Sequence, residues 1–222
     1  MKPLSEWTKY QKINAVALGV VAFVVLPLFT AILLSFEHPL KYSVTDLTFG
    51  MGYRVPFTLW GVFVIAFTVY SVLLIMKESG YPKGLRIFFY VYLALMEIAF
   101  VLTGTITNDA ATVGETLARM HNIVAIITFV SHLVLVGLLT GASFVRSRLQ
   151  GAVNFVYAFL FYTIMAFTYS RISVKDTFSF LQSATALCET ATFCLVAFFL
   201  ALHYVGNLLF PANPPKNLFR KK

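Results

Sequence analysis

The chain has 222 residues, of which 59% are hydrophobic and 12% charged, with a formal net charge of +8. An ordinary soluble domain carries about 25% charged residues. That deficit, with a mean hydropathy of +0.82 and several long apolar runs, excludes the soluble class and points to a bilayer.

Residues 1–13 are basic and amphipathic, with Trp7 and Tyr10 as interfacial anchors. The first apolar run, about Asn14–Phe36, is too long for a signal-peptide core and is expected to be a retained span. Pro27 inside it is expected to kink the helix. A polar loop over 37–55 follows, then a second span at about Pro56–Met76, with proline suited to the first helical turn. Residues 77–85 form a turn punctuated by Gly and Pro. The third span is about Arg86–Ile106 and the fourth about His121–Ser143, joined by the polar loop 107–120. A short basic link, 144–152, leads to the fifth span at about Val153–Tyr169. The loop 170–182 then precedes the sixth span at about Ser183–Leu208. The fold expected is all-α: an integral membrane bundle of six transmembrane helices over 14–208, between the amphipathic N-terminus and a basic tail, 209–222.

An even number of spans places both termini on one side, and the positive-inside rule identifies it. Twelve of the seventeen basic residues lie in the N-terminus, the 77–86 turn, the 144–152 link and the tail. The opposite side holds Lys41, Arg54, Arg119, Arg171 and Lys175, balanced by Glu37, Asp46, Asp109, Glu115 and Asp176. Both termini are therefore expected to be cytoplasmic, in the plasma (cell) membrane. The basic excess reads as a topology signal and a contact for anionic membrane lipids, with no nucleic-acid footprint.

Glu97 and His132 are the only acid and the only histidine in the central parts of spans three and four. Their midpoint in sequence falls at about residue 114, the centre of the connecting loop. In an antiparallel hairpin this predicts equal depth and a facing intramembrane pair. A charged group at that depth costs roughly 2.5–3.5 kcal/mol on insertion scales and normally meets a partner or lines a cavity. The pair then either fixes helix packing or serves a functional cavity.

The other reactive groups concentrate at the outer side. His38 and Asp46 lie in the first outer loop, Asp109 in the second, His121 at the start of span four, and Glu189 about two turns into span six. These five are the candidate ligand-pocket residues. A polar pocket opening outward is expected, bordered by His121, Glu189 and at least one residue of 37–54. The competing expectation is that Glu189 merely bonds Ser or Thr hydroxyls of span five or of its own helix. The five include donor types that would suit zinc, but no two show a recognised ligand spacing. Haem needs two histidines at one depth, and His132 and His203 are offset. Cys188 and Cys194 stand on different turns of one helix and are not expected to pair. There is no phosphate-binding glycine loop and no serine-nucleophile motif.

Two stretches, Glu37–Gly61 and Thr107–Ala125, resemble an uncharacterised bacterial six-span membrane family, known as domain of unknown function nine-nine-eight. Asp109, Gly114 and His121 follow that family's order of acidic loop, glycine and span-opening histidine, with Asn108 where the family has a proline. The resemblance covers about half the chain. It implies a six-span fold and a membrane location, and it brings no established activity. The order of outer acid, serine and histidine also looks like the seven-span ceramidase-like hydrolases, but there is no seventh span and no HxxxH pair. Three functions are left open. One is binding or moving a lipid or small amphiphile. Another is metal-dependent hydrolysis of lipid amides or esters. The third is an accessory role beside a partner membrane subunit or in a homo-oligomer.

Overall fold

The computed structural model describes residues 2–38, 40–107, 113–172, 185–210 and 212, with only the backbone described for 168–172. It contains six helices long and apolar enough to cross a membrane: α1 (Lys9–Leu34), α2 (Arg54–Glu78), α3 (Lys83–Thr105), α4 (Glu115–Arg146), α5 (Arg148–Ile172) and α6 (Ala186–Leu209). Among the described residues there is no strand.

Local chemistry explains several of these features. Thr8 caps α1: its hydroxyl accepts from the Gln11 N–H at 3.2 Å while the Gln11 side chain accepts from the Thr8 N–H at 3.1 Å. This reciprocal box satisfies donors that the first turn leaves orphaned. Where Pro27 predicts a disturbance, α1 winds a π turn over Val21–Val25, closed by the Leu26 N–H on the Val21 carbonyl. A proline cannot donate to the carbonyl four residues earlier, and a wider turn accommodates that loss. The turn between α2 and α3 contains Gly80 at φ 69°, a conformation that glycine adopts without strain.

The expected 144–152 link is shorter than its composition suggests. Only Ser147, in an extended conformation, separates α4 from α5. Gly151 permits this tight corner, since a Cβ there would lie 2.8 Å from the Phe144 Cα and collide with its ring. Likewise α4 starts at Glu115, before the expected His121.

The faces are sorted as a bilayer demands. On α3, Ile87, Val91, Leu95, Ile98 and Leu102 recur every three or four residues and are exposed, whereas Phe89, Leu93 and Met96 are buried. An exposed apolar stripe of that length suits contact with lipid. The central element is α6, which packs against α1, α2, α4 and α5. Small residues there (Ala186, Thr190, Ala197 and Ala201, all buried) let its neighbours approach closely. Lys2 donates its N–H to the Leu209 carbonyl at 2.8 Å, which brings the two ends of the described chain to one end of the bundle.

Candidate functional site

At the opposite end of the bundle lies a cavity of about 500 Å³. Its walls come from four helices: Phe57 and Trp60 of α2, Phe100 and Gly104 of α3, His121 and Thr128 of α4, Glu189 and Phe193 of α6. The remaining wall is the segment Ser43–Phe49, part of the connection between α1 and α2.

That segment is shaped by its own sequence. Ser43 and Asp46 have the S-x-x-D spacing of a capping box. The Ser43 N–H and hydroxyl donate to Asp46 Oδ2 at 3.0 and 2.8 Å, and the Asp46 N–H donates back to Ser43 Oγ at 3.1 Å. The chain then makes a π turn over Asp46–Gly50. Three bonds dock it on the helices. The Val44 N–H donates to Glu189 Oε2 at 2.7 Å, Thr45 Oγ1 meets His121 Nε2 at 3.1 Å, and the Ala186 N–H donates to the Tyr42 carbonyl at 2.7 Å.

His121 is buried and fully engaged. Its Nδ1 lies 2.6 Å from the Ile106 carbonyl, which can only accept, so Nδ1 carries a proton, and Nε2 pairs with the Thr45 hydroxyl. Glu189 is different. One oxygen is held by Val44, while Oε1 has no hydrogen-bond partner among the described residues. The side chain is half-buried and lines the cavity.

The other expected site residues are placed elsewhere. His38 is exposed and does not line the cavity. Asp46 is exposed too, and its carboxylate is engaged with Ser43 in shaping the turn. Asp109 lies outside the described residues. Among the described residues no three His, Cys, Asp or Glu side chains converge in a way that could hold a metal ion. The donor set considered for zinc is therefore not assembled by them. Cys188 and Cys194 are both free and buried.

The expected pair of Glu97 and His132 makes no hydrogen bond. Both are buried, yet neither carboxylate oxygen of Glu97 nor Nε2 of His132 has a hydrogen-bond partner. The cause is helix register. Thr103 meets Thr128 at 3.1 Å, and the Phe100 ring lies 5.9 Å from the His132 ring. Phe100 thus stands beside His132, and Glu97 lies three residues before Phe100 in α3. His132 Nδ1 donates to the Thr128 carbonyl at 2.8 Å, and the ring meets Phe193 edge-on at 4.9 Å. Aromatic neighbours fill the place expected for a carboxylate.

Near the end that holds the termini, the helices meet in a polar network that sequence reasoning missed. Arg146 donates from Nε to the Ser79 carbonyl at 2.7 Å, from Nη1 to the Phe210 carbonyl at 2.6 Å and from Nη2 to the Asn207 carbonyl at 2.7 Å. Gln150 and Asn207 bond each other, and Asn207 also reaches Ser79. Deeper in, Asn154 Nδ2 lies 2.7 Å from Ser143 Oγ and 3.0 Å from His203 Nδ1. Tyr81, in the α2–α3 turn, meets His203 Nε2 at 3.4 Å. Burial pushes its phenol up to about 12, so it stays a neutral hydroxyl at physiological pH. The polar residues of α5 and α6, Gln150, Asn154, His203 and Asn207, were the available signal for this network.

Comparison with protein-family models, with curated proteins and with solved structures found no match.

Proposed function

We propose that this is a multi-pass protein of the plasma membrane, with both termini cytoplasmic, that binds or moves a lipid or small amphiphile in the outward-facing cavity between α2, α3, α4 and α6. The observation that carries this reading is the mixed lining. Apolar and aromatic walls meet a carboxylate oxygen that has no hydrogen-bond partner among the described residues. A cavity of that volume, mostly apolar with a few convergent polar groups, is what a small-molecule site looks like. Val62 of α2 and Val101 of α3 border the cavity and are exposed, which favours entry between those helices from the bilayer. The resemblance to the six-span bacterial family agrees with the membrane reading and adds no activity to it.

Filling the cavity tests the reading. A Cβ added at Gly104 meets no atom within 4 Å, and the position is helical, so Gly104→Leu places bulk against the cavity without backbone strain. Leucine also favours helix over glycine by up to about 1 kcal/mol. The variant is expected to keep or raise its melting temperature while losing most of the amphiphile that co-purifies with the unsubstituted protein, as measured by native mass spectrometry. Unchanged occupancy in Gly104→Leu and also in Ala125→Leu, a second cavity-lining position, would reject the cavity as the binding site.

A further inference from the structure

The chemistry of the cavity narrows the class of amphiphile, and this step rests on the binding role proposed above. Glu189 is the one carboxylate among the described residues that line the cavity. It stands in the first turn of α6, where the helix dipole favours negative charge. Oε2 is fixed by the Val44 N–H at 2.7 Å, which orients the carboxylate, and Oε1 has no hydrogen-bond partner among the described residues. Among the described residues no lysine or arginine pairs with it: the only ion pair there is Arg119 with Glu115, both highly exposed. His121, the other titratable group on the cavity wall, has both ring nitrogens committed to Ile106 and Thr45. An oriented acceptor therefore faces an apolar space with no cation supplied by the described protein.

We infer that the cavity takes an amphiphile with a protonated amine head, held by the Glu189 carboxylate, with its apolar body against Trp60, Phe100 and Phe193. An ammonium supplies both missing elements, the positive charge and the donor, and charge-assisted bonds are the strong ones. The aromatic walls suit the same ligand, because ring faces attract cations and their bulk buries an alkyl chain. A fatty carboxylate would set two like charges together. A fatty alcohol can donate to Oε1 but leaves the charge uncompensated.

Trp60 is a built-in reporter. It lines the cavity, and its Nε1 donates to Thr30 Oγ1 at 2.9 Å, which fixes the ring. Trp7 is the only other tryptophan, and its Nε1 has no hydrogen-bond partner, so Trp7→Phe sacrifices no bond. The full-length Trp7→Phe protein in detergent is titrated at neutral pH with ω-bromododecylamine, ω-bromododecanol or ω-bromododecanoic acid. Contact quenching of Trp60 is followed, and each unbrominated compound is added as competitor. Saturable quenching is expected to be tighter for the amine than for the alcohol by roughly tenfold to a hundredfold, the range a hydrogen bond to a charged group commands. The acid should bind weakest. Glu189→Gln should bring the amine down to the affinity of the alcohol. Saturable binding with amine and alcohol equal overturns the amine assignment and leaves the amphiphile site standing. Saturable quenching by none of the three overturns both. An amine preference that survives in Glu189→Gln overturns the role of Glu189. Should Glu189→Gln not fold, the ranking of the three ligands on the unsubstituted carboxylate decides the inference by itself.

Discussion

Arg146 ties the ends of two helices together, through the Ser79 carbonyl just past α2 and the Asn207 and Phe210 carbonyls at the end of α6. Carbonyls in the last turn have no partner within their own helix, and a cation there also opposes the negative end of the dipole. The planar guanidinium reaches all three at once. A lysine amine is a point donor on a flexible stem and cannot reproduce that fork. Arg146→Lys is therefore expected to lower stability by about 2–4 kcal/mol, the loss of two charge-assisted bonds with buried carbonyls left behind. Arg148→Lys, at an exposed side chain in the first turn of α5, should change little. Thermal unfolding in detergent checks the pair; equal melting temperatures for the two variants would remove Arg146 from this role. Nothing in the sequence separates these arginines. Both read as positive-inside signals, and only the packing of α6 against the α4–α5 corner shows that one of them is also a clamp.

At the scale of the element, the α3–α4 hairpin carries the clearest lesson. Its existence was legible from two apolar runs and a polar loop, and its register was not. Equal spacing about the loop centre assumes that both helices end together, whereas α3 stops at Thr105 and α4 starts at Glu115 and runs to Arg146. Contacts between side chains then set the register, with Thr103 on Thr128 and Phe100 beside His132. Without a direct bond, Glu97 and His132 should behave as independent sites. In a thermal-shift double-mutant cycle of Glu97→Met and His132→Phe, the two effects are expected to add within about 0.5 kcal/mol. A coupling above about 1 kcal/mol would mean that the two groups interact after all. The cavity was partly legible in the same sense. Residues 43–49 come to His121 and Glu189 because of backbone and hydroxyl bonds from Val44 and Thr45. His38 and Asp46, chosen for their polar chemistry, are exposed and do not line the cavity, since residue type alone does not say which way a loop side chain points.

For the whole molecule, the arrangement has two chemically unlike ends. One holds Lys2, Leu209 and the Arg146 network. The other holds the cavity, with Lys41 and Arg54 exposed nearby and each set beside an aromatic ring, that of Tyr42 or Phe49. The helices place these ends on opposite sides of any bilayer they cross, but geometry alone does not say which side faces the cytoplasm. The proposed orientation rests on charge: twelve of seventeen basic residues fall, in sequence, in the N-terminus, the 77–86 turn, the 144–152 link and the tail, and positive loops are commonly retained inside. In the orientation proposed above, the cavity opens to the outside, where an amphiphile would arrive from the outer leaflet or the medium. Cysteine accessibility decides this without any assumption about ligand. Cys188 and Cys194 are buried and removable as alanines, the second at the loss of one contact with Thr30 at 3.5 Å. In that background, Lys41→Cys is expected to react with a membrane-impermeant maleimide on intact cells, and Arg148→Cys only after the membrane is opened. Labelling of position 148 on intact cells, with position 41 protected, would reverse the orientation. The cavity would then face the cytoplasm and draw its ligand from the inner leaflet.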